Sequence, residues 1–382
     1  MTRTILNCGY LPLVDCAPLI IAEELGFAAQ EGLKLNLLQQ PSWSALRDML
    51  ALGHLDAAQM LSPMPIAMSL GLGSLQADVH ALMVMSVNGT VFGVSNQIAA
   101  TLGQTTFGDA AGILDRIAAT ARKPLRIGIP FKFSMHHLLL SYWTSTRPDI
   151  QIEAVTVPPP RMADAIETGH IDAFWVGEPW GSVIVDRGLG HMVMTGRDVW
   201  NFAPEKVLAA RAEWIANNPQ QVRRLMRCIA QATRWLDRTK NKPLALEILT
   251  RSEHLDLPPE LIEPALTGYL TPSDGASPVE VDHFLVFNRY GANFPWRSQA
   301  AWIAAQLGAG PGAIEHAKHC FRSDVYRETL TPIGIDLPGA SEKVEGAMQH
   351  ATAVAAQRGD MILGQDAFFD GRTFDFGGFG AE

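Results

Sequence analysis

The sequence predicts an α/β protein of two similar lobes that closes on something small, and three observations carry that expectation. Gly53-His54-Leu55-Asp56-Ala57 recurs as Gly169-His170-Ile171-Asp172-Ala173 at a constant offset of 116 residues (169 − 53). Each copy follows apolar residues at helical spacing, Leu46, Met49 and Leu50 in one and Met162, Ala165 and Ile166 in the other. Each precedes an apolar run, 57–61 and 173–176, that reads as a buried strand and ends in a proline turn, with Pro63 and Pro179 again at the same offset. In both copies the glycine suits the position just past a helix, where φ > 0 favours a residue without Cβ.

Taken in order, 5–10 reads as a strand, 17–24 as a helix stopped at Gly26, and 33–38 as a strand completing a β-α-β unit. The first repeat helix and strand follow, then a strand over 81–86 that ends at Asn88-Gly89. A polar turn near 103–108 leads to a helix over 109–120, a strand over 125–129 and a helix from Ser134, a good N-cap, to Thr144. Residues 152–157 form a strand closed by Pro158-Pro159-Pro160; after the second repeat, 191–195 returns the chain towards the first lobe. Beyond Ala203 the pattern changes to long helices such as 219–236. The expected division is lobe I over 1–95, lobe II over 96–203, and 204–382 as a continuation of lobe I with helical C-terminal additions, its Gly- and Phe-rich end, 370–382, loosely held.

Bulk properties exclude several classes. The chain has 382 residues, 47% of them hydrophobic, enough for two ordinary cores. Thirty Lys and Arg against 39 Asp and Glu give a net charge of −9, which lacks the footprint for binding nucleic acid. Cys8, Cys16, Cys228 and Cys320 have no CxxC spacing, so neither a metal cluster nor a disulfide framework is expected. His316, His319 and Cys320 share a helical face, but three ligands without a fourth make a poor metal site. No nucleophile elbow, phosphate loop or zinc-protease motif is present, so no catalytic residue, cofactor or enzyme activity is expected. The N-terminus runs directly into the first strand, without the basic start and apolar stretch of a secretory signal, and no run is long enough to span a membrane. A cytoplasmic location is the resulting expectation, or a periplasmic one had a leader been removed.

Several short motifs then line up with one family: Asp15-Cys16-Ala17-Pro18-Leu19, Pro41-Ser42-Trp43 followed by Arg47-Asp48, Ser62-Pro63-Met64-Pro65, Val157-Pro158-Pro159-Pro160, Val176-Gly177-Glu178-Pro179-Trp180, Pro204-Glu205-Lys206 and Phe294-Pro295-Trp296. Together, from about residue 5 to about residue 375, they resemble the nitrate- and bicarbonate-binding proteins of the NrtA/CmpA type. The resemblance implies the two-lobed periplasmic-binding-protein-like fold (type II), with an oxoanion held in the cleft between lobes. The leaderless start and Ser134-Met135-His136 look most like the cytoplasmic NasS-type nitrate and nitrite sensors, which release an RNA-binding antiterminator of the NasT type when the anion binds. The alternative is the substrate-binding component of an ABC transporter for nitrate, bicarbonate or a sulfonate-like solute, working with a permease. Thiamine-precursor synthases share the lobed fold but rely on a histidine- and cysteine-rich iron-binding run, which is absent here.

Nitrate is planar, singly charged and weakly basic, so its site needs several donors, one nearby cation and a flat apolar wall. By resemblance Trp43 faces the anion and offers its indole N–H. His136, six residues before Tyr142 (142 − 136), is the ligand histidine at a helix N-terminus. Lys206, 26 residues after Trp180 (206 − 180), supplies the charge. Pro159 and the backbone of Val176 and Gly177 line the wall, while Glu178, a carboxylate beside an anion, is expected to be architectural. Nitrate binders carry glutamine after the Asn-Gly turn; Thr90, a shorter donor, stands there instead, so either a water fills the gap, Gln59 compensates from the next strand, or the ligand differs from nitrate. Lys132 stands near the histidine where the relatives have glycines and is either additional charge or an exposed side chain.

Overall fold

The computed structural model describes residues 3–120, 124–375 and 377. Two sheets organise it. The first runs Leu285–Val286, β4 (Val79–Asn88), β10 (Pro204–Arg211), β3 (Ala57–Leu61), β1 (Thr4–Tyr10) and β2 (Leu33–Gln39). The second runs β7 (Ile152–Thr156), β6 (Leu125–Ile129), β8 (Ala173–Gly177), β5 (Thr90–Ser95) and β9 (Gly190–Thr195).

The sequence repeat is a repeat of packing devices. β1 pairs in parallel with β3 through Cys8 and Ala57, and β6 with β8 through Ile127 and Ala173. Before each second strand an aspartate ties its helix exit to the neighbouring strand. Asp56 N–H donates to Asn7 O and its carboxylate accepts from Asn7 N (2.9 and 2.8 Å). Asp172 repeats this on Arg126 (2.8 and 3.1 Å) and adds a bidentate contact to the guanidinium. Gly53 and Gly169 both have the positive φ expected past a helix end, 84° and 65°. The helices Trp43–Ala51 and Met162–Glu167 and the residues just beyond them approach their sheets over glycines: a Cβ on Gly9 would lie 3.0 Å from Leu46 Cδ1 and 2.5 Å from Leu55 Cδ1, and one on Gly128 would lie 2.6 Å from Met162 Sδ and 2.5 Å from Ile171 Cδ1.

The lobes join by two crossings held together at Asn88. Its N–H donates to Ala203 O (2.9 Å), its side chain accepts from Ala203 N (3.1 Å) and donates to Asn201 O (2.9 Å). Asn88 and Gly89 have φ of 60° and 87°, turning the chain sharply between β4 and β5. The second sheet therefore begins at Thr90, and the expected lobe boundary after residue 95 moves back to Gly89, because 90–95 finds its backbone partners in β8 and β9. β9 is an edge strand of the second sheet, and the return to the first sheet is made by β10.

After Arg211, the helix Pro219–Leu236 packs Val222, Leu225, Met226 and Ile229 inward, while Arg227 reaches Glu31 (2.7 Å). The C-terminal part is not wholly helical: Thr352–Ala356 and Gly359–Leu363 form an antiparallel hairpin. The expected loose end is held as far as Phe374. Tyr142 Oη donates to Asp370 (2.9 Å), Phe368 stacks on Trp200 (4.9 Å between centroids), and Phe374 exchanges backbone hydrogen bonds with Glu345. Residues 376 and 378–382 of that expectation lie outside the described residues. No helix among the described residues is long and apolar enough to cross a membrane.

Candidate functional site

Parallel strands of an open sheet present the loops at their C-terminal ends to a ligand crevice. In lobe I, the turn after β1 carries Asp15 and the helix after β2 begins at Trp43. In lobe II, His136 follows β6, Pro159 follows β7 and Gly177 ends β8. The antiparallel strands β10 and β5 start at the same edges, bringing Lys206 opposite Leu61 and Thr90 opposite Gly177. The edges touch: Val14 N donates to Glu178 O (2.9 Å) and Trp180 Nε1 to Pro12 O (2.9 Å).

Lys206 is fully buried, its Nζ 2.7 Å from Asp15 Oδ2 and 2.7 Å from Glu205 Oε1. The ammonium sits 5.4 Å from the ring centroid of Trp43, whose indole N–H is buried without a partner. Gln59, buried in β3, donates to Asp15 Oδ1 (2.5 Å) and accepts from Leu11 N (3.1 Å). From lobe II the buried His136 brings Nδ1 to 3.3 Å from Glu205 Oε1, without the alignment of a hydrogen bond, and leaves Nε2 unpartnered. It rides on the helix Met135–Thr144, capped by Ser134, whose Oγ accepts from His137 N (3.1 Å). A Cβ on Gly177 would lie 2.7 Å from Leu13 Cδ2, 3.8 Å from Asp15 Oδ2 and 3.9 Å from His136 Nε2, so glycine lets the lobes meet here.

Electrostatics follow from burial. Loss of water raises the Asp15 carboxyl, partly offset by Lys206 and Gln59, and pushes Glu205 up to about 7 against the pull of Lys206. Burial works to lower Lys206, and its two carboxylate neighbours outweigh that and raise it. Burial, then the charge on Lys206, holds His136 well below the usual histidine range, so its ring is neutral.

Trp43, Gln59, His136, Gly177 and Lys206 thus meet around one ammonium. The other expected residues are placed by contacts of their own. The Thr90 hydroxyl accepts from Trp175 Nε1 (3.1 Å), and a Cβ on Gly196 would come within 2.3 Å of it, so it is turned into lobe II rather than towards Lys206. Val176 is a buried strand residue and Pro159 is buried at the start of a short 3-10 turn. Glu178 turns its carboxylate onto Ser182 N (3.0 Å), and burial raises that group to about 7. Lys132 is exposed and lies over the Phe133 ring. Among the described residues, no group of three or more His, Cys, Asp or Glu is placed to hold a metal. A groove of about 420 Å³ lined by Asn96, Leu102, His191 and Pro272 shares no residue with the cluster.

Asp15 and Glu205 are the residues that the sequence reading missed. Both stood inside quoted motifs, but a carboxylate beside an anion site reads as repulsive. The signal was Lys206 itself, since a lysine bound for the interior requires counter-charges and Glu205 adjoins it.

Residues 2–250 match the profile of the NMT1-like family. The nitrate import ATP-binding protein NrtC of Synechocystis sp. is 35% identical over 89% of this chain, which spans 52% of that relative's length. The nitrate/nitrite binding protein NrtA of Synechococcus elongatus is 29% identical over 96% of this chain and 82% of its own. The crystal structure of the periplasmic nitrate-binding protein NrtA from Synechocystis superposes with a TM-score of 0.85, at 25% identity over 99% of this chain and 97% of that one. The fold is accordingly that of the two-lobed periplasmic binding proteins.

Proposed function

Because the chain belongs to the NMT1-like family, we propose that it binds a small oxoanion, nitrate or a close analogue, between its lobes as the solute-binding part of an ABC-type importer. The supporting observation is Lys206, a buried ammonium at the junction of the lobes with two unpartnered buried nitrogens beside it, Trp43 Nε1 and His136 Nε2. A planar anion takes charge from the first and directional contacts from the others. Gln59 serves by holding Asp15, Glu178 by holding the wall, and the backbone of Val176 and Gly177 with Pro159 forms the flat side.

The relatives' names, nitrate/nitrite binding and nitrate import, favour the importer over the sensor. The expected antiterminator partner and cytoplasmic location gain no support from them. Calorimetric titration with nitrate, nitrite, bicarbonate and an alkanesulfonate tests the reading. Saturable binding of one oxoanion, lost in Trp43→Ala, is the expected result; heats indistinguishable from dilution for all four would end it.

A further inference from the structure

The cluster contains a conflict that the function must resolve. One ammonium faces two carboxylates, so with His136 neutral and both carboxylates ionised the site is negative before any anion arrives. Tautomerism adds a second difficulty. With Glu205 ionised, the neutral imaginable arrangement at 3.3 Å puts the His136 proton on Nδ1, facing Oε1, and leaves Nε2 as a lone pair. Nitrate has three acceptor oxygens and no proton, so such an Nε2 would repel it. If the Glu205–His136 pair holds one more proton, either Glu205 donates to Nδ1 or both ring nitrogens carry hydrogen, and Nε2 becomes a donor in both cases.

Resting on the reading above, we propose that Glu205 is a positioning residue that couples anion binding to uptake of one proton, the pair Glu205–His136 accepting it as a proton-free oxoanion enters and thereby presenting Nε2–H. The proton comes from solvent and no covalent bond to the ligand forms. The groups facing the pair are Lys206 from β10 and Asp15 from the turn after β1, with Cys16 beside Asp15 and the neutral Gln59 from β3 and Trp43 from the helix after β2. Asp15 stays tied to Lys206 and Gln59, which leaves Glu205, with fewer donors, as the carboxylate free to change state. Burial already brings Glu205 to about 7, so modest stabilisation by a bound anion suffices to protonate it at neutral pH.

Nitrate is the clean probe because it does not itself titrate near neutrality. Calorimetry of the whole chain with sodium nitrate in buffers of different ionisation enthalpy reads the protons exchanged. We expect uptake approaching about one proton near about pH 8.5, and a Kd that weakens about tenfold per pH unit above neutrality. Glu205→Gln, whose amide donates to Nδ1 permanently, should bind nitrate with a Kd that is flat over that range and no proton exchange. Nitrate binding by the unaltered chain without proton uptake overturns this proposal and leaves the proposed function standing. Absence of nitrate binding at every pH removes the proposed function and this coupling with it. The measurement on the unaltered chain decides the matter even if the variant does not fold.

Discussion

Position for position, the two lobes part company where their edges meet. Leu61 stands opposite Lys206 in the first sheet, and its counterpart Gly177, 116 residues on (177 − 61), stands opposite Thr90 in the second. Two residues earlier in each strand, Gln59 corresponds to Trp175 (175 − 59 is again 116). Gln59 gives its amide to Asp15, whereas Trp175 gives its indole N–H to Thr90. One backbone frame thus carries a buried ion cluster in lobe I and the ring cluster Phe92, Trp143 and Trp175 in lobe II. Strand pairing and the Asp56 and Asp172 anchors fix the frame, while side chains at the sheet edge answer only to the crevice. The charge sits on one lobe, and the other contributes a wall and a single histidine.

The most damaging way to break this asymmetry is Lys206→Ala, which strips the counter-charge from two buried carboxylates. A loss of about 3–5 kcal/mol in denaturant unfolding is expected. Adding Asp15→Asn and Glu205→Gln should recover much of it; a loss below about 1 kcal/mol would mean that the cluster behaves as a solvated surface pair. Next in size, Gln59→Leu and Thr90→Val each orphan a buried partner and should each cost about 1–3 kcal/mol. They should part in binding: Gln59→Leu weakens nitrate by freeing Asp15, and Thr90→Val leaves its affinity unchanged. A loss on the order of tenfold in Thr90→Val would return that hydroxyl to the ligand shell.

Gly9→Ala and Gly128→Ala sharpen the other half of the comparison. Each forces a methyl against an equivalent side chain, and each should cost about 1–3 kcal/mol, by similar amounts. Strongly unequal costs in thermal unfolding would show that the lobes tolerate crowding differently.

The smallest effect is a pH slope from Glu178. Its carboxyl rises from 4.5 to about 7 in the folded state, so the unfolded chain loses its proton first as pH rises. The stability contributed by the protonated group is complete below 4.5 and is lost progressively up to about 7. Glu178→Gln should therefore remove part of the decline in midpoint across that window, and an unchanged slope would mean that Glu178 titrates normally.

Much of the frame was legible because it depends on local pattern. The repeat located two helix–strand units, glycines at 53 and 169 signalled helix exits, and Ser134 marked a helix start. The lobe boundary was misread because the segment 90–95 looks like any strand, and its partners, β8 and β9, lie some 80 to 100 residues away along the chain. At the candidate site the family likeness led to Trp43, His136 and Lys206, which the fold brings together. It also led to Thr90, whose hydroxyl turned out to face Trp175, since a motif match gives a position but not a side-chain direction.

By itself the sequence determined that the chain is built twice, because helix and strand periodicity and the glycine and proline positions act over a few residues. Only the tertiary structure decided the charge state of the crevice. Burial sets the cost of each ionised group, and the carboxylates that compensate Lys206 come from β10 and from a turn nearly 200 residues earlier (206 − 15), a pairing that exists only once β10 has returned to the first sheet beside β3.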